Sequence, residues 1–254
     1  MISLKNAADI ERMRCSGRIA ADIRDRLAAR VAPGVTTAEI DAWAMELFAE
    51  YGAESAFYGY RGYPGHVCVS VNDEVVHGIP GRRTIRLGDI VGLDVGVRCG
   101  GYYGDTTVTV MVGVEDLDVM RLVATAEAAL AAGIDAARPG RHLSDVSHAI
   151  ETVVESAGFS VVREFVGHGI GRSLHEDPQI PNFGAPGRGP VLKAGMTLAI
   201  EPMVNMGSAG VQVQSDGWTV LTEDRKPSAH AEHTILILDN APAEVLTRAD
   251  ESAK

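Results

Sequence analysis

The chain has 254 residues, of which 46% are hydrophobic and 22% are charged, as in an ordinary globular protein. Its formal net charge of −11 and the lack of any Lys/Arg cluster argue against a nucleic-acid-binding surface, and no apolar run is long enough to span a membrane. Three widely spaced cysteines form no C-x-x-C metal site, and the charged N-terminus does not resemble a signal peptide, so we expect a protein of the reducing cytoplasm.

Apolar residues at helical spacing predict four helices. The first two cover residues 7–31, before Pro33-Gly34, and about 36–51, where Thr36 and Glu39 form a capping-box pattern. The other two cover about residues 116–138 and 143–156, and each is closed by a following glycine. We assign no chemistry to these helices and interpret them as structural cover.

Residues 57–66 form a loop with three tyrosines among glycines and a proline. Tyrosine combines apolar area with a polar tip, so the loop suits the wall of a ligand pocket, although a packed surface loop explains the same residues. A strand is predicted over residues 67–71, and His77 then ends a short apolar run before Gly78. The alternative to a functional role is that His77 is a structural histidine whose hydrogen bonds are made within the fold.

Two strands of alternating apolar residues flank Gly100-Gly101 and predict a β-hairpin over about residues 90–112. Each strand offers one carboxylate, Asp94 or Asp105, from its less apolar face. Two carboxylates that are held close together repel each other unless they are protonated or bridged by a cation. A pair of ordinary turn or edge aspartates is the alternative to a cation site.

The second half of the chain holds similar candidates. His168 lies between two glycines, which permit close backbone approach to a ligand, and His175 follows before an irregular surface loop predicted over 178–190. Strands are predicted over 196–204, 212–220 and 228–238, with a frayed tail over 241–254. Glu201 and Glu232 lie in or beside strongly apolar strands, and buried glutamates need partners. The recurrence of helices followed by paired carboxylate-bearing strands suggests one duplicated domain with halves of about 1–112 and 113–240.

Four carboxylates and one imidazole share these settings: Asp94, Asp105, His168, Glu201 and Glu232. They exceed the needs of one tetrahedral zinc site and suit two divalent cations that share bridging carboxylates, as in dinuclear hydrolases. Oxygen-rich ligation with a single nitrogen favours manganese, iron(II), cobalt or magnesium. The alternative is that some of the five are capped or paired side chains without a metal.

Seven motifs that span nearly the whole chain resemble those of type I methionine aminopeptidases. They are Glu-Val-Val-His77-Gly-Ile-Pro, Leu-Asp94-Val-Gly, Gly-Asp105-Thr-Thr, Gly-His168-Gly-Ile-Gly, His175-Glu-Asp-Pro, Ile-Glu201-Pro and Glu232-His-Thr. The resemblance implies an α/β (α+β) pita-bread fold, in which a pseudo-two-fold duplicated antiparallel sheet is covered by helices and the metal centre lies between the halves. It also implies removal of the initiator methionine from nascent polypeptides when the second residue is small. We expect a monomer that associates with the ribosome.

The resemblance further implies how the metals are held. Asp94 would chelate one ion, Asp105 and Glu232 would bridge two ions, and His168 and Glu201 would complete the coordination of the other. The ions would be cobalt, manganese or iron(II), with zinc or nickel as further options. A structural monovalent cation would lie near Asn72 and Ser228.

Catalytic and substrate-binding roles follow from the same resemblance. A metal-bridging water would attack the scissile carbonyl, with Glu201 transferring protons, His175 contacting the carbonyl oxygen and His77 contacting the substrate amide. Aromatic and thiol side chains suit a thioether side chain, and the methionine pocket would draw on Tyr60, Tyr63, Cys68, Trp218 and His77. Leu174 and His175 would complete the substrate-binding residues.

The chain departs from the family pattern at two places. Leu174 stands where phenylalanine is usual, which removes one aromatic wall of the pocket and affects selectivity. Before Glu232 the usual Gln-aromatic pair is His230-Ala231. Since neighbouring strand residues face opposite sides, we expect His230 to be an outward-facing bystander, with perturbation of the metal site as the alternative.

Two other functions are compatible with parts of the pattern. An X-Pro dipeptidase or aminopeptidase P-like hydrolase would share the fold and metals, but the short chain and the Tyr/Cys/Trp pocket oppose it. A non-catalytic pita-bread module that binds peptides predicts a broken ligand set, whereas all five ligands are present.

Overall fold

The computed structural model describes residues 2–249, which form four α-helices, fifteen strands and one short 3-10 helix at Tyr60–Gly62. The helices are α1 (Ala7–Ala28), α2 (Thr37–Tyr51), α3 (Leu117–Ala136) and α4 (Leu143–Ser156). The strands are β1 (Glu54–Ser55), β2 (Cys68–Val71), β3 (Glu74–Val76), β4 (Ile90–Cys99), β5 (Tyr102–Met111), β6 (Ser160–Val161), β7 (Gly167–Gly169), β8 (Glu176–Ile180), β9 (Thr197–Ile200), β10 (Met203–Asn205), β11 (Val211–Val213), β12 (Val220–Thr222), β13 (Ser228–His230), β14 (Glu232–Leu236) and β15 (Glu244–Val245).

All four predicted helices are confirmed, and the predicted capping box of α2 is present, because Thr36 and Glu39 each accept from the other's backbone N–H. Helix α1 ends at Ala28 and not at residue 31. Its last buried residue is Leu27, and the chain then turns so that the Arg30 guanidinium lies 3.8 Å from the centre of the Trp43 ring. The end of α1 is thus determined by packing rather than by the proline farther on.

One nine-stranded antiparallel sheet joins the two halves of the chain. Its strand order is β1-β4-β5-β14-β9-β7-β8, with β2 also paired to β4 and β15 to β14. The β5–β14 pairing places Thr107 opposite Glu232, and this is where the first half of the sheet meets the second. The hairpin predicted over residues 90–112 is confirmed as β4–β5.

Three strand predictions are wrong in detail because short apolar runs do not reveal tertiary bends. The predicted strands 196–204 and 228–238 are each divided, by Glu201-Pro202 and by Ala231. Residues 212–220 do not form one strand of the main sheet. The Asp216 carboxylate accepts from the N–H groups of Trp218 and Thr219 and bends the chain, so β11 and β12 form a separate three-stranded sheet with β3.

Two segments are more ordered than the sequence predicts. The loop predicted from residue 178 begins after β8, which extends to Ile180 and pairs with β7. Of the tail predicted over 241–254, residues 244–245 pair with β14 and Leu246 is buried, while residues 250–254 lie outside the described part of the chain.

Each half contributes its own apolar core. Helices α1 and α2 pack with β2 and β4, whereas α3 and α4 pack with β9, β10 and β14. Small residues let α1 lie close to the hairpin, since a Cβ atom at Gly104 would lie 2.8 Å from the Cα atom of Gly17. Among residues 2–249, no helix has the length and apolar character needed to cross a membrane.

Candidate metal centre

The β4–β5 hairpin brings the two aspartates together. Asp94 lies opposite Thr107 and Asp105 lies opposite Gly96, so the two carboxylates are diagonal neighbours on one face of the sheet. Asp105 is only 5% exposed. One carboxylate oxygen of each aspartate, Oδ1, is buried without a hydrogen-bond partner. Buried oxygens without partners are unfavourable unless a cation or a proton binds them.

The two glutamates come from breaks and edges in the second half of the sheet. Glu201 lies between β9 and β10, before Pro202, and its backbone carbonyl accepts from Asn182 Nδ2 at 3.0 Å. Glu232 begins β14, and its Oε2 atom accepts a hydrogen bond from Thr107 Oγ1 at 2.9 Å. The hairpin therefore supplies both two carboxylates and a hydroxyl that orients a third.

His168 is held by its own strand. The ring atom Nδ1 lies 2.9 Å from the carbonyl oxygen of Gly169, which fixes that nitrogen as the donor and leaves Nε2 free as a ligand. Nε2 lies 3.5 Å from Glu201 Oε1. Ligand atoms of Asp105, His168 and Glu232 all lie within 4.8 Å of one another, close enough to share one metal ion.

The electrostatics of this cluster fit divalent cations. Burial raises the pKa of Asp105 to about 7, and burial followed by the charge of Asp105 raises the pKa values of Asp94, Glu201 and Glu232. Burial, and then the neighbouring His175, lowers the pKa of His168 to about 3, so its ring is neutral near pH 7. The donor set consists of four carboxylates with raised pKa values and one neutral imidazole, and two of its oxygens have no hydrogen-bond partner. Such a set suits hard divalent ions.

A cavity of about 210 Å³ opens onto these ligands. Its walls contain all five predicted metal ligands and all seven predicted substrate-contacting residues. Phe57 and Arg61 also line it; the sequence does not single them out as site residues, although both belong to the loop 57–66 that is predicted as a pocket wall. Leu174 is buried in this wall, at the place where the family pattern has phenylalanine. The structure thus brings together every predicted site residue.

Aromatic contacts hold the wall of the cavity. The Tyr60 hydroxyl lies 3.0 Å from His175 Nδ1, and the Tyr63 ring packs edge-on against Trp218 with centroids 5.1 Å apart. His77 has a left-handed backbone with φ of 59°, and its ring lies edge-on to Trp218 at 6.0 Å. Burial lowers the pKa of His77 to about 4, so this ring also enters the cavity uncharged near pH 7.

Phe57 lines the cavity because of Gly96. A Cβ atom at Gly96 would lie 2.6 Å from the Phe57 ring, so the glycine on the Asp94 face makes room for this aromatic side chain. Phe57 belongs to the aromatic loop already predicted as a pocket wall. Its own role could not be predicted, because the contact joins segments that are far apart in the sequence.

His230 is not an outward-facing bystander. It is 5% exposed, its Nε2 atom has no hydrogen-bond partner, and burial followed by the nearby His77 lowers its pKa to about 3. His230 lies two residues before Glu232, and β13 is covered on both faces, so no side chain of this strand faces solvent. Alternation along a strand distinguishes exposed from buried residues only where one face meets water.

An ion pair supports the segment that carries His175. Lys5 Nζ lies 2.7 Å from Glu176 Oε2, and both side chains are largely buried. The other oxygen of Glu176 accepts from the backbone N–H groups of Arg172 and Ser173. The N-terminal segment thereby fixes the turn that precedes His175.

The chain matches known proteins over most of its length. Residues 11–239 match the model of metallopeptidase family M24. The chain is 48% identical to methionine aminopeptidase 1 of Bacillus subtilis (strain 168) over 248 residues, which cover 98% of this chain and 100% of that protein. It is 44% identical to methionine aminopeptidase of Escherichia coli (strain K12), covering 97% of this chain and 94% of that protein.

Solved structures agree with these matches. The crystal structure of methionine aminopeptidase from Thermotoga maritima has a TM-score of 0.96 at 47% identity, with 98% of this chain and 100% of that chain covered. Prolidase from Pyrococcus furiosus has a TM-score of 0.79 at 23% identity, and the match covers 98% of this chain but 66% of the prolidase. The latter similarity shows a shared fold only. The predicted pita-bread fold is confirmed.

Proposed function

Because this chain belongs to metallopeptidase family M24, we propose that it removes the N-terminal methionine of nascent polypeptides whose second residue is small. The observation that supports this most directly is one cavity that joins five metal-ligand side chains to an aromatic and thiol wall. Relatives named methionine aminopeptidase match almost the full chain. The chain is accordingly a metal-dependent aminopeptidase that acts on methionine.

Family membership implies divalent metal ions, and we propose two of them. Asp94, Asp105, His168, Glu201 and Glu232 would hold them. Manganese, cobalt and iron(II) suit this oxygen-rich donor set best, with zinc or nickel as further options. When bound, the ions would supply Lewis acidity and lower the pKa of water at the site.

The roles of the side chains follow from their surroundings. Since the Tyr60 hydroxyl is hydrogen-bonded to His175 Nδ1, the Nε2 atom of His175 is free to donate a hydrogen bond to the substrate carbonyl oxygen. Glu201 would carry a proton from water to the leaving amine. His77, uncharged and at the cavity wall, would contact the amide nitrogen of the scissile bond.

The methionine side chain would bind against the aromatic and thiol wall. Burial raises the pKa of Cys68, so it stays a thiol, and a thiol and aromatic rings both make favourable contacts with a thioether. Tyr63 is anchored by donating a hydrogen bond to the Gly78 carbonyl at 2.9 Å. Leu174 would complete this wall with an aliphatic contact.

The proposal also includes a structural cation, the oligomeric state and the cellular location. Asn72 and Ser228 are in direct contact, since the Ser228 N–H donates to the Asn72 carbonyl at 2.9 Å, and a monovalent cation is proposed beside them. The enzyme would act as a cytoplasmic monomer that associates with the ribosome. Sedimentation and ribosome co-pelleting would test those two statements.

Peptide cleavage tests the function. The protein would be stripped of metal, reloaded with manganese, cobalt or iron(II), and assayed on Met-Ala-Ser, Met-Leu-Ser, Leu-Ala-Ser and Ala-Pro peptides. We expect methionine release from Met-Ala-Ser alone, and only with metal. Preferential cleavage of Ala-Pro would contradict the proposal and favour an X-Pro hydrolase.

Two substitutions test individual roles. Glu201→Ala should abolish turnover while the protein stays folded, because a buried carboxylate is removed with its charge. Circular dichroism and the thermal midpoint would report folding, and near-normal activity would refute the role. His77→Ala should lose far more rate than stability; loss of stability alone would show a structural histidine.

A further inference from the structure

Arg61 places a positive charge in the wall of the catalytic cavity. Among the fourteen residues that line this cavity, it is the only lysine or arginine. Its side chain is exposed, and no carboxylate of the described residues pairs with its guanidinium. A cation at the mouth of a substrate cavity, without an internal partner, is available to a group on the substrate.

The backbone holds Arg61 in this position. It has a left-handed conformation with φ of 49° and ψ of 25°, between Tyr60 and Gly62. The Gly59 N–H donates to the Tyr63 carbonyl at 2.9 Å and closes the turn. The guanidinium carbon lies 5.4 Å from the centre of the Tyr60 ring, so the side chain rests on the same tyrosine that contacts His175.

The charge of Arg61 acts on the site itself. Burial lowers the pKa of His175, and the positive charge of Arg61 is the second cause of that shift. The guanidinium therefore lies close enough to influence a group proposed to contact the scissile bond. Because His175 and Arg61 line the same cavity, a substrate chain bound beside His175 would also lie near Arg61.

We propose that Arg61 selects substrates with an acidic side chain at their third residue. The inference rests on the proposed function, because it adds a contact to the same cavity. In an extended chain the first and third side chains point to the same side, so a third residue faces the wall that holds the methionine. Tyr60 belongs to that wall, and Arg61 is its outward neighbour.

Charge complementarity supports an acidic group over a basic one. The chain as a whole has a formal net charge of −11, so its surface repels acidic peptides. A local cation offsets that repulsion where the substrate enters. An exposed ion pair of this kind changes a rate or affinity by about twofold to fivefold, and attraction of glutamate together with repulsion of lysine would separate the two by about threefold to tenfold.

The experiment compares two amidated peptides, Met-Ala-Glu-Gly and Met-Ala-Lys-Gly, with the metal-loaded protein. Amidation removes the peptide's own carboxylate, so only the third side chain differs in charge. At low salt, kcat/KM should favour glutamate by about threefold to tenfold, and the ratio should approach one at high salt. Arg61→Gln should bring the ratio to one or below, because the repulsion by the net negative charge then acts without an offset. Arg61→Lys should retain the preference in part, and Arg61→Glu should invert it.

Arg188→Glu is the matched control. Arg188 is an exposed arginine outside the cavity, and its substitution changes the net charge by the same amount as Arg61→Glu. The glutamate preference should survive in this variant. Loss of the preference in Arg188→Glu would show that overall charge, and not Arg61, is responsible.

Isothermal titration with the same peptides separates this inference from the proposed function. Methionine release with an equal glutamate-to-lysine ratio in wild type, Arg61→Gln and Arg61→Glu would overturn the role of Arg61 and leave the function intact. The protein could release no methionine from any peptide and still show a glutamate-to-lysine affinity ratio that inverts in Arg61→Glu. That result would overturn the function and leave the contact established. An affinity ratio that does not respond to Arg61 would overturn the contact in either case.

Discussion

The buried carboxylate of Asp105 predicts how the metal-free protein responds to pH. Its pKa rises from 3.8 to about 7 because the group is buried. Three pKa units at about 1.4 kcal/mol each correspond to about 4 kcal/mol of proton-linked stability. Because the native state binds this proton more tightly than the unfolded chain, the contribution is present in full below about pH 4. It is lost as the pH rises through about 7.

Asp105→Asn removes this contribution, since asparagine has no proton to lose, and it also removes the charge through which Asp105 raises the pKa values of Asp94, Glu201 and Glu232. Unfolding by urea in the presence of a chelator would be measured for both proteins from pH 5 to pH 8. About two of the three pKa units lie above pH 5, so wild type should lose about 3 kcal/mol relative to the variant across this range. Protonation of the buried histidines affects both proteins alike and cancels in the difference. Saturating manganese should restore stability at pH 8 in wild type only, and parallel curves for the two metal-free proteins would refute the reasoning.

Two further substitutions test the support of the site. Thr107→Val removes the hydroxyl that donates to Glu232 and should weaken metal affinity about tenfold to a hundredfold by titration calorimetry. The Thr109 hydroxyl contacts only the backbone of His230, so Thr109→Val should lower stability and leave metal affinity unchanged. Equal losses of metal affinity in the two variants would contradict the role given to Thr107. Gly96→Ala should destabilise the fold by about 1–3 kcal/mol because its methyl group meets the Phe57 ring; an unchanged urea midpoint would contradict that contact.

The proposed metal ligands could be singled out from the sequence because each is an ionisable residue in an apolar or glycine-rich setting. Asp94 lies on a glycine-bearing face, His168 lies between glycines, and Glu232 begins an apolar strand. Ionisable groups in such positions need a partner, and the chemistry of the partner follows from the donors. The helices could be predicted because each buries one face, so its period is visible in the residues themselves.

The remaining features depend on contacts between distant segments. The orientation of His230 required knowing that another layer covers the second face of its strand, which no local pattern records. In the sequence nothing distinguishes Phe57 from other aromatic residues in loops, because the space for its ring comes from the missing side chain of Gly96. The sequence around Arg61 is equally compatible with a solvated surface charge, and only the fold shows that this residue lines the cavity.

The buried pair of Lys5 and Glu176 makes the active site depend on a segment that is synthesised 171 residues before its partner. Local detachment of residues 2–6 would leave a buried carboxylate without its counter-ion and free the turn before His175. Detachment of the N-terminal segment and increased mobility of the turn before His175 are therefore expected to occur together. Amide hydrogen exchange at residues 171–176 should follow exchange at the N-terminal segment.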